Sequence, residues 1–402
     1  MGDVMKRILL LGGSRYLVPV IKEAHELGYY VITCDYLPEN IAHKYSDEYH
    51  NVSIIDKEKV LQLARELYVD GVMSFATDPG VTTAAYVCEQ LGLPTCPYSS
   101  VEILQNKDKF RRFLKENGFN VPASAGYESI DEAISDAGRF QWPVIVKPVD
   151  SAGSKGVTKV NSPDKLREAI YEALRFSISG RFIIEEFIEK LGDSSDTDCF
   201  SINGKMAFVS FSNQKFDEGA QNPYTPAGYS WPSKMSLENQ KELANEFQRL
   251  ISLLKLGTSI YNVETRVGRD GKPYIMEFTP RGGGNRLSEV LHYATGVNLI
   301  RNAVKAAVGE TDLDIAQRPC IGYWGEVILH SNKSGVFISI DLADELKVFL
   351  FENNLWVKAN ESIEEFVGAN TSIGTLIFRF DTQEQCEYYM NRIGEFVHVN
   401  VQ

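Results

Sequence analysis

The sequence predicts an α/β and α+β chain: an N-terminal parallel sheet flanked by helices, a mixed central part, and a small β-rich C-terminal piece. Three observations predict it. Over the first hundred residues, continuous apolar runs alternate with helix-spaced segments, the pattern of buried parallel strands joined by crossover helices. Two alternating runs flank Asp270-Gly271, a hairpin signal because both positions tolerate positive φ. Beyond about Arg318, short strand-like runs dominate.

With 402 residues the chain has room for two or three domains with ample core. A net charge of −13 argues against a nucleic-acid partner, because phosphate-backbone binders carry basic stripes. No apolar run reaches the ~18 residues of a membrane span, and the N-terminal residues lack a signal-peptide core. No membrane association is expected. Cys34, Cys88, Cys96, Cys199, Cys320 and Cys386 are scattered, with no metal-ligand spacing. They suit reduced thiols in a cytoplasmic protein.

In chain order, Arg7 to Leu11 is a buried strand, and Gly12 to Arg15 turn into a helix that Gly28 caps. Tyr30 to Cys34 is the second strand. The turn resembles a dinucleotide fingerprint but lacks its second and third glycines, which argues against NAD. Asn51 to Ile54 reads as a short strand, Lys57 to Tyr68 as a helix, and Gly71 to Phe75 as a strand. A helix then runs to Leu91. Ligands in open α/β sheets lie beyond the carboxyl ends of the strands, where Asp78 falls. Asp78 is a candidate substrate contact or, equally, a helix N-cap.

From Asn106 to Gly118 the pattern is helical; taken alone, its Lys107 is a solvated charge. Val144 to Val146 form a buried strand that ends at Lys147. A lysine in an apolar strand needs a partner, and a nucleotide phosphate would serve. Residues 150–156 follow as a small, hydroxyl-rich loop of the kind that presents backbone N–H groups to phosphates. Arg181 to Ile184 is another strand, leading into Glu185 and Glu186. Asp196 and Asp198 share one face of the next strand. Residues 212–233 read as a long loop whose Tyr224, Tyr229 and Trp231 either wall a pocket or anchor the loop.

Counting outward from Asp270-Gly271, Val267 faces Tyr274, Arg266 faces Ile275, and Glu264 faces Glu277. Alternation puts Val263, Val267, Tyr274, Met276 and Phe278 on one apolar face. The other face carries Asn262, Glu264, Arg266, Glu277 and Thr279. Facing carboxylates repel, so Arg266 neutralises them, they sit on a solvated face, or a divalent cation sits between them. Mg²⁺ prefers one or two carboxylates plus phosphate oxygens. After the hairpin come Arg281, three glycines, then Asn285 and Arg286. The last two are candidates for a substrate carboxylate, with an Arg286–Glu289 pair as the competing account.

The hairpin with one Glu on each arm, together with Lys147-Pro148 before a small polar loop, resembles the ATP-grasp superfamily. The resemblance spans roughly residues 5 to 402, with its specific motifs between Lys107 and Arg281. It implies a pre-ATP-grasp α/β domain over 1–103, a two-subdomain ATP-grasp domain over 104–317, and a small C-terminal α+β domain over 318–402. It implies ATP and Mg²⁺ (or Mn²⁺) as cofactors. Lys107, Lys147, Ser151, Ser154 and Lys155 would contact phosphates. Backbone groups of Glu185, Glu186, Phe187 and Ile188, at the hinge, would read adenine. Asp196 or Asp198 would lie near the ribose or the adjoining lysine. Glu264 and Glu277 would hold the metal, with Thr279 standing where the family usually has Asn. Arg281 would support the phosphoryl group and, with Lys147, carry the chemistry.

The implied function is an ADP-forming carboxylate–amine ligase that acts through an acylphosphate on small molecules, such as an amino acid plus an amine. Bicarbonate- or purine-pathway chemistry and a non-catalytic ATP-binding module are the alternatives, the last favoured by Thr279. A homodimer is a family expectation.

Overall fold

A computed structural model describes residues 5–402 apart from Ala152. The N-terminal sheet is parallel throughout, in the order Glu48–Asn51, Tyr30–Asp35, Arg7–Leu11, Gly71–Ser74. Ile8 to Leu11 are wholly buried, as a strand covered on both faces requires. The third strand lies earlier than the expected Asn51 to Ile54. It is anchored by the Tyr49 hydroxyl, which donates to the Asp35 carbonyl, and Ile54 turns into the core beyond the strand.

Two antiparallel sheets form the centre. One runs Ser124–Tyr127, Phe182–Glu186, Val144–Pro148, Thr158–Val160. The other runs Lys205–Phe208, Ser195–Ile202, Ser259–Val267, Pro273–Thr279. The helix Lys107–Glu116, capped by the Asn106 side chain, bridges them. Its Phe110 and Leu114 join the core of the second sheet, and its Arg111 reaches Glu185 of the first.

The hairpin keeps the expected register at its far end, where Asn262, Val263 and Glu264 face Thr279, Phe278 and Glu277. Nearer the turn the register shifts by one: Thr265 faces Ile275, Arg266 faces Tyr274 and Val267 faces Pro273. The cause is the turn, which spans Gly268 to Gly271, with the Gly271 N–H donating to the Gly268 carbonyl and only Gly271 at positive φ (77°). The longer turn is absorbed by a bulge beside Glu264. Ile275 therefore joins Val263 and Phe278 in the core, in place of the expected Tyr274 and Met276.

Residues 212–233 are not one loop. They contain the strands Asn213–Phe216 and Pro226–Trp231, which extend a five-stranded sheet with Tyr323–Leu329, Gly374–Phe380 and Leu350–Leu355. Tyr229 and Trp231 are buried in that sheet. The C-terminal strands thus share a sheet with the central segment, and Pro226–Trp231 is the seam. A three-stranded sheet, Ser362–Ile363, Gly335–Leu342, Val397–Val401, completes the C-terminal part. One continuous core joins the N-terminal helix Val18–Glu26 to the helices Leu287–Thr295 and Leu299–Ala307. Among the described residues no helix is long and apolar enough to cross a membrane.

Candidate active site

Side chains of the two central sheets meet around Lys107 and Arg111 of the bridging helix. Lys147 projects from the end of its strand and places Nζ 2.8 Å from Glu185 Oε2. Arg111 Nε lies 2.8 Å from the other Glu185 oxygen, an ion pair off line for a hydrogen bond, while its Nη1 donates to the Met276 carbonyl at 2.9 Å. Burial would raise the Glu185 carboxyl, but Arg111 and Lys147 outweigh it and hold it at about 2. Burial lowers the Lys147 ammonium; Glu185 opposes this, and the cations of Arg111 and Lys107 reinforce it. The side chain of Glu185 is therefore the counter-ion of two cations. The Glu186 and Phe187 N–H groups are taken by the carbonyls of Ala123 and Pro143, whereas the Ile188 N–H has no protein partner among the described residues.

Lys107 ties the two walls together. Its Nζ donates to the Ser151 carbonyl at 2.9 Å and lies 3.5 Å from Glu277 Oε1. The loop beyond Ser151 is pinned at Ser154, whose hydroxyl donates to the Tyr224 carbonyl at 3.0 Å; Asn222 Nδ2 donates to the Ser154 carbonyl at 3.0 Å. Ser154 stands at φ 58° between Gly153 and Gly156, both also at positive φ. Lys155 is exposed and has no ion-pair partner among the described residues.

Glu264 and Glu277 face each other as expected. Burial and then the Glu277 charge push the Glu264 carboxyl up to about 7. Glu277 is also desolvated, but Lys107, Lys147 and Arg111 outweigh that and hold it below the usual range. Its side chain remains 44 % exposed. Arg266 forms no ion pair with either glutamate among the described residues: its Nη1 donates to the Ile188 carbonyl and its Nε to Ser194, and its charge offsets the rise at Glu264 only in part. Among the described residues no group of three or more Asp, Glu, His or Cys side chains is placed to hold a metal. Two facing carboxylates, one of which raises the proton affinity of the other, fit a cation that takes its remaining ligands from phosphates and water. Thr279 shares their face, buried opposite Asn262.

Several expected roles are displaced. Asp78 is not an N-cap, a position that Thr77 takes. It begins the helix Asp78–Leu91, and its two oxygens accept Arg281 Nε at 2.9 Å and Nη2 at 3.0 Å. Asp198 is fully buried and far from the hinge end of its strand: it accepts the Gly283 N–H at 2.8 Å and the Ser288 hydroxyl, so it braces the glycine bend. Asp196 accepts Asn262 Nδ2 at 2.8 Å and the Tyr229 hydroxyl at 2.9 Å. Burial lifts both aspartates to about 6. Arg286 does not present a free guanidinium; Nη2 pairs with Glu289 and Glu352, both at 2.9 Å. Asn285 is held by the Tyr16 hydroxyl, which donates to its Oδ1 at 3.0 Å. Behind Arg281 lies a cavity of about 90 Å³ lined largely by apolar side chains, among them Val72, Ala85 and Ile260.

The reading of residues one by one missed Arg111, which looks like any basic residue of a charged helix. Its wholly buried neighbours Phe110 and Leu114 were the available signal.

Two antiparallel sheets thus bring Lys107, Lys147 and the paired carboxylates of the hairpin close together. Residues 104–285 match the ATP-grasp domain. That stretch is therefore similar to an ATP-grasp domain. It is 26 % identical over 288 residues to the carbamoyl phosphate synthase large chain of Thermotoga petrophila, covering 71 % of this chain and 26 % of that one. The chain thus spans about a quarter of the length of the curated relatives it matches. Among solved structures it resembles the L-amino acid ligase of Bacillus licheniformis, with a TM-score of 0.80 and 22 % identity over 99 % of both chains. It also resembles the phosphoribosylglycinamide synthetase of Anaerococcus prevotii, with a TM-score of 0.76 and 21 % identity over 99 % of this chain and 100 % of that one.

Proposed function

We propose that this protein is an ADP-forming carboxylate–amine ligase acting on small molecules. In the reaction, a substrate carboxylate oxygen attacks the γ-phosphorus of ATP and ADP leaves. The nitrogen of an amine then attacks the acylphosphate carbon, the C–O bond to phosphate breaks, and the nitrogen gives up a proton. The observation that carries this reading is the position of Lys107, bonded to the Ser151 carbonyl of the phosphate loop and beside Glu277 of the carboxylate pair. It brings phosphate loop and carboxylates to one place.

Lys107, Lys147 and Lys155 would neutralise phosphate charge, with Ser151 and Ser154 contributing loop contacts. The Ile188 N–H, with neighbouring hinge carbonyls, would read the adenine edge. Glu264 and Glu277 would hold Mg²⁺, which supplies charge neutralisation at the phosphates; Thr279 is a further oxygen donor on the same face. Arg281, aimed by Asp78, would meet the negative charge that develops on the acylphosphate. Positioning and fixed charge lower the barrier in such transfers. The free cysteines support a reducing, cytoplasmic setting.

The test is ADP release from MgATP with pools of amino acids, simple carboxylic acids, bicarbonate and amines, using Glu277→Gln as the control. Release that requires one acid–amine pair and vanishes in the control supports the ligase. Turnover retained by Glu277→Gln sinks the site assignment. Tight ATP binding without release from any pool favours a binding module.

A further inference from the structure

Glu326 lies on the strand Tyr323–Leu329 with no exposed surface, and among the described residues neither of its carboxylate oxygens meets a hydrogen-bond donor. A carboxylate in that position is costly unless a cation or donor meets it. The nearby guanidinium, Arg286, is already engaged by Glu289 and Glu352. Burial pushes the Glu326 carboxyl well above the usual range and the Arg286 charge offsets this only in part, so the position is short of positive charge.

The location is not remote from the chemistry. The cross-strand neighbour of Glu326 is Tyr229. The Tyr229 hydroxyl donates to Asp196 at 2.9 Å and accepts from Asn285 at 3.3 Å. Asp196, in turn, stands directly across the strand pair from Glu264. Two residues thus separate Glu326 from the carboxylate pair, and Asn285 connects it to the bend that follows Arg281. Tyr16, Arg286 and Glu289 also line a small cavity that touches Gly283 of that bend.

We propose that Glu326 is a specificity-determining residue that receives the ammonium group of the carboxylate substrate, and that this substrate is an amino acid. An acid without an amine, bicarbonate included, would leave the buried carboxylate unmatched. The inference rests on the ligase reading and narrows its substrate class.

The test compares wild type with Glu326→Gln, using alanine and its deaminated analogue propionate as one matched pair within a wider panel of amino acids and their deaminated counterparts. Two readouts are taken: ADP release, and the thermal shift produced by the acid in the presence of MgADP. The expected result is a preference of wild type for amino acids. Glu326→Gln should raise the KM for the amino acid at least tenfold and abolish its thermal shift, with the KM for ATP unchanged. The variant alone should melt no lower than wild type, because an unpaired carboxylate has been removed. An unchanged preference in Glu326→Gln, a wild type that favours deaminated acids, or a variant that melts well below wild type would each overturn the inference. Amino-acid stabilisation that depends on Glu326 without any ADP release would support the subsite while counting against the ligase reading.

Discussion

Asp78 and Arg281, 203 residues apart in the chain, meet as a two-pronged ion pair: Nε at 2.9 Å from one oxygen and Nη2 at 3.0 Å from the other. Burial works against the charge of Arg281, and Asp78 more than offsets it. The N-terminal sheet thereby fixes the direction of a guanidinium that belongs to the hairpin side. Asp78→Asn should keep ATP affinity while reducing turnover on the order of a hundredfold, as loss of an aligned charge does in other sites. Arg281→Lys should not restore it, because an ammonium cannot engage both oxygens in a fork. Steady-state ADP release with separate ATP titration reads both outcomes. Equal losses in ATP affinity and turnover would mean that Asp78 merely holds the domains together.

The facing carboxylates make a stability prediction of opposite sign to the activity prediction. Like charges opposite each other on paired strands destabilise the pair, by roughly 0.2–1 kcal/mol. Glu264, the member of the pair pushed up to about 7, carries that penalty, so Glu264→Gln should melt slightly higher than wild type in metal-free buffer while losing turnover. MgATP should stabilise wild type more than the variant. Thermal melts with and without Mg²⁺ and ATP check this, and a lower melting point for the metal-free variant would contradict it.

What the sequence shows, and what it hides, divides along physical lines. The Glu264–Glu277 pair was legible because strand alternation and a nearby turn fix register locally. The register nearer the turn was not, since the bulge depends on a turn one residue longer than Asp270-Gly271 suggests. Lys147 was legible as a cation in an apolar strand, but not Arg111, its companion on Glu185, because a basic helix reads the same whether solvated or buried. The Arg286–Glu289 pair was legible from its spacing, but the partners of Asp78, Asp198 and, through Glu352, Arg286 were not, for a common reason. Each pairs with a residue distant in sequence or across an element, and no spacing rule links an aspartate in a βα turn to an arginine two hundred positions later. Tyr229 and Glu326 came to matter only when Pro226–Trp231 proved to be a strand in the C-terminal sheet. The one available hint was an acid inside the apolar run 323–329, a strand that the sheet buries on both faces.

Lys155 offers a clean separation of binding from folding. It is exposed, in a loop pinned by its neighbour Ser154 rather than by its own side chain. Lys155→Ala should leave the melting point within the small range of surface substitutions, about 0.5 kcal/mol. If it meets a phosphate, the KM for ATP should rise about tenfold, the worth of one charge-assisted hydrogen bond. Ser154→Ala, which frees the loop from the Tyr224 carbonyl, should raise the same KM without removing a charge. The two are told apart by salt: the Lys155→Ala penalty should shrink at high ionic strength and the Ser154→Ala penalty should not.

The buried triad of Arg111, Lys147 and Glu185 sets the acid limit of the fold. Glu185 is held at about 2, against an ordinary value of 4.5. A carboxylate whose folded value is depressed contributes stability that is present above the unfolded value and lost as pH falls through the folded one. Wild type should therefore lose stability progressively between about pH 4.5 and pH 2. Glu185→Gln leaves two buried cations with no counter-charge, which should cost about 3–5 kcal/mol at neutral pH. The variant should also lack the acid limb, because its amide does not titrate. Denaturant melts of both proteins from pH 6 down to pH 2.5 would show converging stabilities, since protonating Glu185 in wild type reproduces the loss that the variant already carries. Parallel curves would place the acid-sensitive group elsewhere. Adding ATP should narrow the gap at neutral pH, because phosphate oxygens would replace part of the charge that Lys147 has lost.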